Sequence, residues 1–153
     1  MRFNPISIRT GQAEERATLE DLQRRASLAN PGDRETLLAH PDAISLPEAF
    51  LAAGQVHVAE RGGAIVGFTV IRPRDDGDYE LEGLFVEPEQ WRTGVGTALI
   101  THVTEIARSA GANGVVTIGN DDALPFYVAF GFGRIGTAET RFRPAPLLRL
   151  DIP

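Results

Sequence analysis

Apolar residues in this chain follow two different periods, and the change from one to the other divides it into a helical first third and a strand-rich middle. Ile6 to Arg9 read as a short strand running into a helix from Glu14 to about Leu28, in which Ala17, Leu19, Leu22 and Ala26 roughly track one face. Pro31-Gly32 stops that helix. The stretch DRETLLAH predicts a second helix, and LPEAFLAAG a third, short one ended by Gly54. From Gln55 the pattern changes. The segments QVHVAE, AIVGFTVIRP and DYELEGLFVEP are rich in Val, Ile, Phe and Tyr and are joined by turn chemistry instead of helices. Gly62-Gly63 and Asp76-Gly77 tolerate the positive φ of two-residue hairpin turns, so Val56 to Glu60, Ala64 to Arg72 and Asp78 to Val86 are expected to form an antiparallel meander.

The helical period returns at Val95. From there to Ala110 the residues Val95, Leu99, Val103, Ile106 and Ala110 recur as a stripe to be buried, and Gly111 suits the stop. A strand GVVTI, a helix near Ala123 to Phe130, and two strands, FGRIG and LLRLDI, follow. No repeat, low-complexity run or linker interrupts the pattern. With 153 residues and 42% hydrophobic content there is enough apolar surface for one domain with its own core.

Charge and residue usage narrow the chemistry. A formal net charge of −6 argues against a nucleic-acid backbone as main partner, since that needs clustered Lys and Arg, but it is compatible with a cationic amine. The absence of cysteine excludes a disulfide framework, a thiolate zinc site and a covalent Cys intermediate. The opening MRFNPISIRT lacks the apolar core of a signal peptide, and no stretch approaches the roughly 20 apolar residues that span a bilayer; the expectation is a cytoplasmic protein with no membrane partner. His40, His57 and His102 are scattered, so no metal site is expected, and Ser27, Ser45 and Ser109 lack a G-x-S-x-G surround. Arg24, Arg25 and Arg34 either line a cleft or sit on solvated helix faces.

Gly94 and Gly96 stand directly before the long helix, in EPEQWRTGVGTALI. The order strand, glycine turn, helix aims free main-chain N–H groups one way, at the positive end of the helix dipole, which makes an anion site suited to phosphate. Gly94 and Gly96 would let a diphosphate approach the main chain, and Arg92 would add a cation; alternatively the glycines only ease a sharp turn. A nucleotide P-loop is disfavoured because no lysine follows either glycine, and a dinucleotide fingerprint because Leu99 stands where a third small residue belongs.

The segments LFVEPEQWRTGVGTALI and NDDALPFYVAFGF together resemble the two signature segments of the GCN5-related N-acetyltransferases, which bind acetyl-coenzyme A. Val86, Pro88, Gly94, Val95, Gly96 and Leu99 fall in register with the first, and Asn120, Ala123, Phe126, Tyr127, Gly131 and Phe132 with the second. Trp91 departs from the pattern, which usually has Arg or Gln there. The resemblance implies an α/β (α+β) domain whose mixed, mostly antiparallel sheet of about seven strands is flanked by helices. It implies that main-chain N–H groups of Arg92, Thr93, Gly94, Val95, Gly96 and Thr97 hold the diphosphate of acetyl-CoA. It implies too that the fourth strand parts from its neighbour, so that Leu84, Phe85 and Val86 offer main-chain groups to the pantetheine arm. Gly83 inside an apolar run marks a bulge or a close approach.

The chemistry implied is direct acetylation of an amine acceptor in a ternary complex. An N–H near Leu84 or Phe85 would stabilise the oxyanion. An ammonium with a pKa of about 10.4 must first lose its proton. Glu80 falls where some members carry that base, and Glu82 shares its strand face; the pair reads otherwise as solvated carboxylates. Tyr127 resembles the proton donor to the departing sulfur, or is a core aromatic. Asn120 matches a pantetheine contact and equally a helix cap. Phe126 matches the coenzyme motif and, with Phe130 and Phe132, also reads as core. Pairing into a homodimer through the last strands is implied by resemblance alone. A non-catalytic acyl-CoA-binding module is the alternative to an enzyme.

Overall fold

The computed structural model describes residues 4–153. Seven strands form one sheet: β1 (Ile6–Thr10), β2 (Val56–Arg61), β3 (Ala64–Pro73), β4 (Tyr79–Val86), β5 (Gly114–Ile118), β6 (Gly133–Glu139) and β7 (Pro144–Asp151). Their spatial order is β1-β2-β3-β4-β5-β7-β6, with β4 and β5 parallel and every other neighbouring pair antiparallel. Five helices accompany it: α1 (Arg16–Leu28), α2 (Pro31–Ala39), α3 (Glu48–Ala52), α4 (Val95–Ser109) and α5 (Leu124–Phe130). The mixed sheet flanked by helices is the architecture expected, and the element boundaries differ from the expected ones by a few residues.

Three of those differences have physical causes. Residues 13–15 form a 3₁₀ turn ahead of α1, closed by the Glu15 carboxylate accepting from the Gln12 N–H at 2.9 Å. Pro31-Gly32, expected only as a stop, is the first turn of α2, because proline has no N–H to waste at that position. Asp76-Gly77 belongs to a longer loop rather than a two-residue turn: Arg74 N–H donates to Asp78 O at 2.9 Å, and the Asp76 carboxylate accepts from Asp78 N–H at 3.0 Å. Gly62 and Gly63, both at positive φ, do make the tight turn between β2 and β3.

Both faces of the sheet are covered. Leu19, Leu22 and Ala26 of α1 and Leu51 of α3 bury against Val56, Val58 and Phe68. On the opposite face α4 and α5 close over Leu81, Val115 and Leu148. The buried stripe of α4 is Val95, Leu99, Ile100, Val103, Thr104 and Ala107. Ile106 is only half-buried and Ala110 is exposed, against expectation, because the helix ends at Ser109 and Gly111 at φ 83° turns the chain away.

His57 of β2 lies under α4, 7% exposed, with its Nδ1 lacking a partner and its ring centroid 5.3 Å from that of His102. Burial, helped by the nearby His102, lowers its pKa from 6.5 to about 4. A depressed histidine favours folding fully above its unfolded pKa, and that contribution is lost as pH falls through the window between the two values. Stability should therefore drop by a few kcal/mol between neutrality and pH ~4, and His57→Leu should flatten that slope in denaturant titrations at a series of pH values.

The feature that shapes the site is a bulge in β4. Val70 pairs with Gly83 but Ile71 pairs with Leu81, so Glu82 is the extra residue. Gly83 has φ 151°, and a Cβ there would sit 2.7 Å from the Phe85 ring. Gly83→Ala is expected to destabilise the fold by about 1–3 kcal/mol through strain and crowding, measurable as a lowered denaturation midpoint.

Candidate active site

Past the bulge the two parallel strands separate. β4 and β5 pair only at Tyr79–Val115, Glu80–Val116 and Leu81–Thr117, while β4 runs on to Val86 and β5 turns to β7. The open edge of β4 can be read from its ladder with β3. Glu87 N–H donates to Val66 O at 2.9 Å, and residues up the strand pair in unbroken register to Gly83. Antiparallel alternation then turns the main-chain groups of Phe85 toward β3 and those of Leu84 and Val86 toward the gap. Trp91 agrees, since its indole N–H reaches the Val86 carbonyl at 2.8 Å. Of the three residues expected to offer main-chain groups, the structure brings Leu84 and Val86 to the gap. Phe85 turns away, with its ring 5.1 Å from that of Phe68 in the α1-side core.

Beside this edge lies the N-terminus of α4. A 3₁₀ turn at Pro88–Gln90 leads into it, Arg92 takes φ 64° and Gly94 φ 97°. Ala98 N–H is bonded to Gly94 O at 3.0 Å, so the N–H groups of Val95, Gly96 and Thr97 precede the first helical bond. A Cβ on Gly94 would meet nothing within 4 Å, so its surface is open to an approaching group. Gly96 has a different reason: a Cβ there would lie 3.2 Å from the Phe126 ring and 3.5 Å from Leu84. One glycine shapes the turn and leaves it open, the other lets α4 pack on α5 and β4.

Arg61, which no motif marked, holds this turn in shape from β2. Its guanidinium donates to Gln90 Oε1 and Thr93 Oγ1, each at 2.8 Å, and to Thr93 O at 3.2 Å. Thr93 Oγ1 in turn donates to Gln90 O at 2.6 Å. At the end of β4 the Arg25 guanidinium of α1 grips the buried Glu87 carboxylate through Nε, at 3.1 and 3.2 Å, and through Nη2. Only tertiary contact shows what either residue holds, because each pair is far apart in sequence.

Tyr127 is 5% exposed, with ring centroids of Phe126 and Phe132 at 5.4 and 5.3 Å edge-on. Thr117, whose Oγ1 donates to Leu81 O at 2.9 Å, lies beside the Tyr127 hydroxyl. Leu81 and Thr117 are the last pair before the strands part, so the phenol sits at the base of the gap. Burial pushes its pKa up to about 12, partly opposed by Thr117, so the phenol is protonated at neutral pH with a wide margin.

Glu80 and Glu82 share the opposite face, that of α1 and α3. Arg74 pairs with Glu80 at 3.0 Å and Arg72 with Glu82 at 2.9 Å, and the Arg72 guanidinium lies over the Phe50 ring at 4.6 Å. Glu82, which can accept a hydrogen bond from Glu80 once Glu80 is protonated, is the first cause that raises the pKa of Glu80, then burial, against the pull of Arg74. Asn120 caps the turn into α5, its Oδ1 accepting from Ala123 N–H at 2.7 Å, which leaves the side-chain NH2 as a donor.

Residues 17–132 match the model of the acetyltransferase (GNAT) family. The chain belongs to the GNAT acetyltransferases. A 72-residue stretch is 35% identical to the glucosamine 6-phosphate N-acetyltransferase of Trypanosoma brucei brucei, covering 47% of this chain and 41% of that protein. Two solved structures share the GNAT fold over nearly the whole length. One is the PaiA N-acetyltransferase of Thermoplasma acidophilum in complex with coenzyme A (TM-score 0.77, 16% identity, 97% of this chain and 99% of that one). The other is a GCN5-related N-acetyltransferase of Rhodopseudomonas palustris (TM-score 0.80, 20% identity, 99% of each chain).

In this GNAT domain a cavity of about 190 Å³ opens between α2, the end of β5 and the β6–β7 turn, lined by Asp33, Thr36, Ile118, Asn120, Phe142 and Arg143 among others. Ile118 lies two residues beyond Val116, the partner of Glu80, so it shares the face of the two glutamates. Arg143 donates to Gly32 O at 2.9 Å and pairs with Asp33, tying α2 to the turn. Arg24, Arg25 and Arg34 do not line this cavity: they bond Asp21, Glu87 and Leu28 O. Among the described residues no group of three His, Asp or Glu side chains is placed to hold a metal ion, and no helix is long and apolar enough to cross a membrane.

Proposed function

We propose that this protein transfers an acetyl group from acetyl-CoA directly to the primary amine of an acceptor, in a ternary complex. The observation that carries the proposal is the open edge of β4 past Leu81, presenting Leu84 and Val86 beside the free N–H groups that open α4. The thioester supplies an activated acyl group; everything else is asked of the chain. The N–H groups at the start of α4, with Arg92 beside them, suit a diphosphate, and Gly94 leaves them accessible. The Leu84 N–H, which faces the gap, suits donation to a developing oxyanion, a role worth about 3 kcal/mol per donor in acyl-transfer sites. Glu80, its pKa raised toward working pH and its negative partner alongside, is suited to take the amine proton, directly or through water. Tyr127 holds a proton at the base of the gap for the departing sulfur, and Asn120 offers its NH2 to the arm. The cavity beside Ile118 admits a small amine on the glutamate face.

One observation favours a non-catalytic acyl-CoA-binding module instead: Tyr127 is buried in the core between the rings of Phe126 and Phe132. The two readings separate in one experiment. Acetyl-CoA is titrated calorimetrically, and free thiol release is then followed with a panel of small amines. Heat and amine-dependent thiol together support the transferase; heat without thiol from any amine supports the module.

A further inference from the structure

Trp91 is the chain's single tryptophan, and it is 41% exposed although its indole N–H is fixed on the Val86 carbonyl at 2.8 Å. That carbonyl is one of the few main-chain acceptors that β4 turns toward the gap, and the residue two before it, Leu84, offers the matching N–H and carbonyl. An extended, amide-bearing arm adding itself to this edge pairs with alternate residues, as any strand added to a sheet does. Its amide donor and the indole therefore compete for one oxygen. The indole is fixed by this bond and follows the turn at Pro88–Gln90, which Arg61 braces through Gln90 and Thr93.

We infer that Trp91 is a latch on the open edge of β4: its indole occupies the Val86 carbonyl in the free protein and gives way when the pantetheine arm pairs there. The inference rests on the acetyl-CoA reading of the same gap. It makes Trp91 a positioning residue that weakens coenzyme binding in exchange for a capped edge, since an exposed strand edge left bare is a site for unwanted pairing.

The test uses the whole chain and two probes: coenzyme A, and adenosine 3′-phosphate 5′-diphosphate, which has the phosphates but no arm. Coenzyme A should shift the tryptophan emission to the red as the indole passes into water, while the nucleotide fragment binds and leaves the emission unchanged. Trp91→Phe keeps the aromatic bulk and loses the donor. It should bind coenzyme A about three- to tenfold more tightly, one neutral hydrogen bond's worth of competition removed, and bind the fragment with unaltered affinity. Coenzyme A binding to both proteins with equal affinity and no emission change overturns the latch alone. No heat from coenzyme A with either protein removes the acetyl-CoA reading and the latch with it.

Discussion

Replacing Tyr127 with phenylalanine is expected to lower turnover by at least about a hundredfold, the range that a positioned acid or base contributes, while affinity for coenzyme A stays within about twofold of wild type. The phenol lies at the base of the gap beside Thr117 and is protonated at neutral pH, burial lifting its pKa further to about 12. Its ring supplies the packing against Phe126 and Phe132, and phenylalanine keeps that packing. Thr117 retains its bond to Leu81 O when the hydroxyl is removed, so the stability cost should be about 1 kcal/mol. Stopped assays of thiol release beside calorimetry and a denaturant melt read all three quantities. Unchanged turnover with the same small loss of stability would identify Tyr127 as a core aromatic only.

The second large effect belongs to the carboxylate pair. Activity should fall on the acid side as Glu80 takes up a proton, and the limb should lie above the ordinary carboxylate range because Glu82 and burial both raise the Glu80 pKa. Glu80→Gln with Glu82→Gln together should remove that limb and lower kcat about a hundredfold or more. Glu80→Gln alone should lose less, since Glu82 lies on the same strand face and stands close enough to take over. Arg72 and Arg74 lie partly exposed and glutamine keeps an oxygen to accept from each, so the fold should tolerate these variants. A pH profile of kcat for wild type, single and double variants measures this; an acid limb preserved in the double variant would assign the base elsewhere.

Much of the fold and part of the site are legible in the order of residues. The change of hydrophobic period at Gln55 locates the meander, because side-chain direction repeats every two residues in a strand and every 3.6 in a helix. Gly83 announces the bulge, since few other residues tolerate its φ. The spacing of Gly94 and Gly96 announces the turn into α4, although the two glycines serve different ends. What stays hidden shares one property. Arg61 on the turn, Arg25 on Glu87, Thr117 on Leu81 and the α2 side of the cavity are pairings across long sequence distances. Nothing local encodes which arginine will meet which loop.

Local backbone preference and apolar spacing are properties of neighbouring residues, so the sequence by itself determined the elements, the glycine turn and the residue types of the site. The parting of β4 from β5 is different in kind. It arises where a bulged strand, a parallel neighbour and the pull of β7 on β5 meet, and only the assembled sheet decides that Leu84 and Val86 face the gap while Phe85 faces β3.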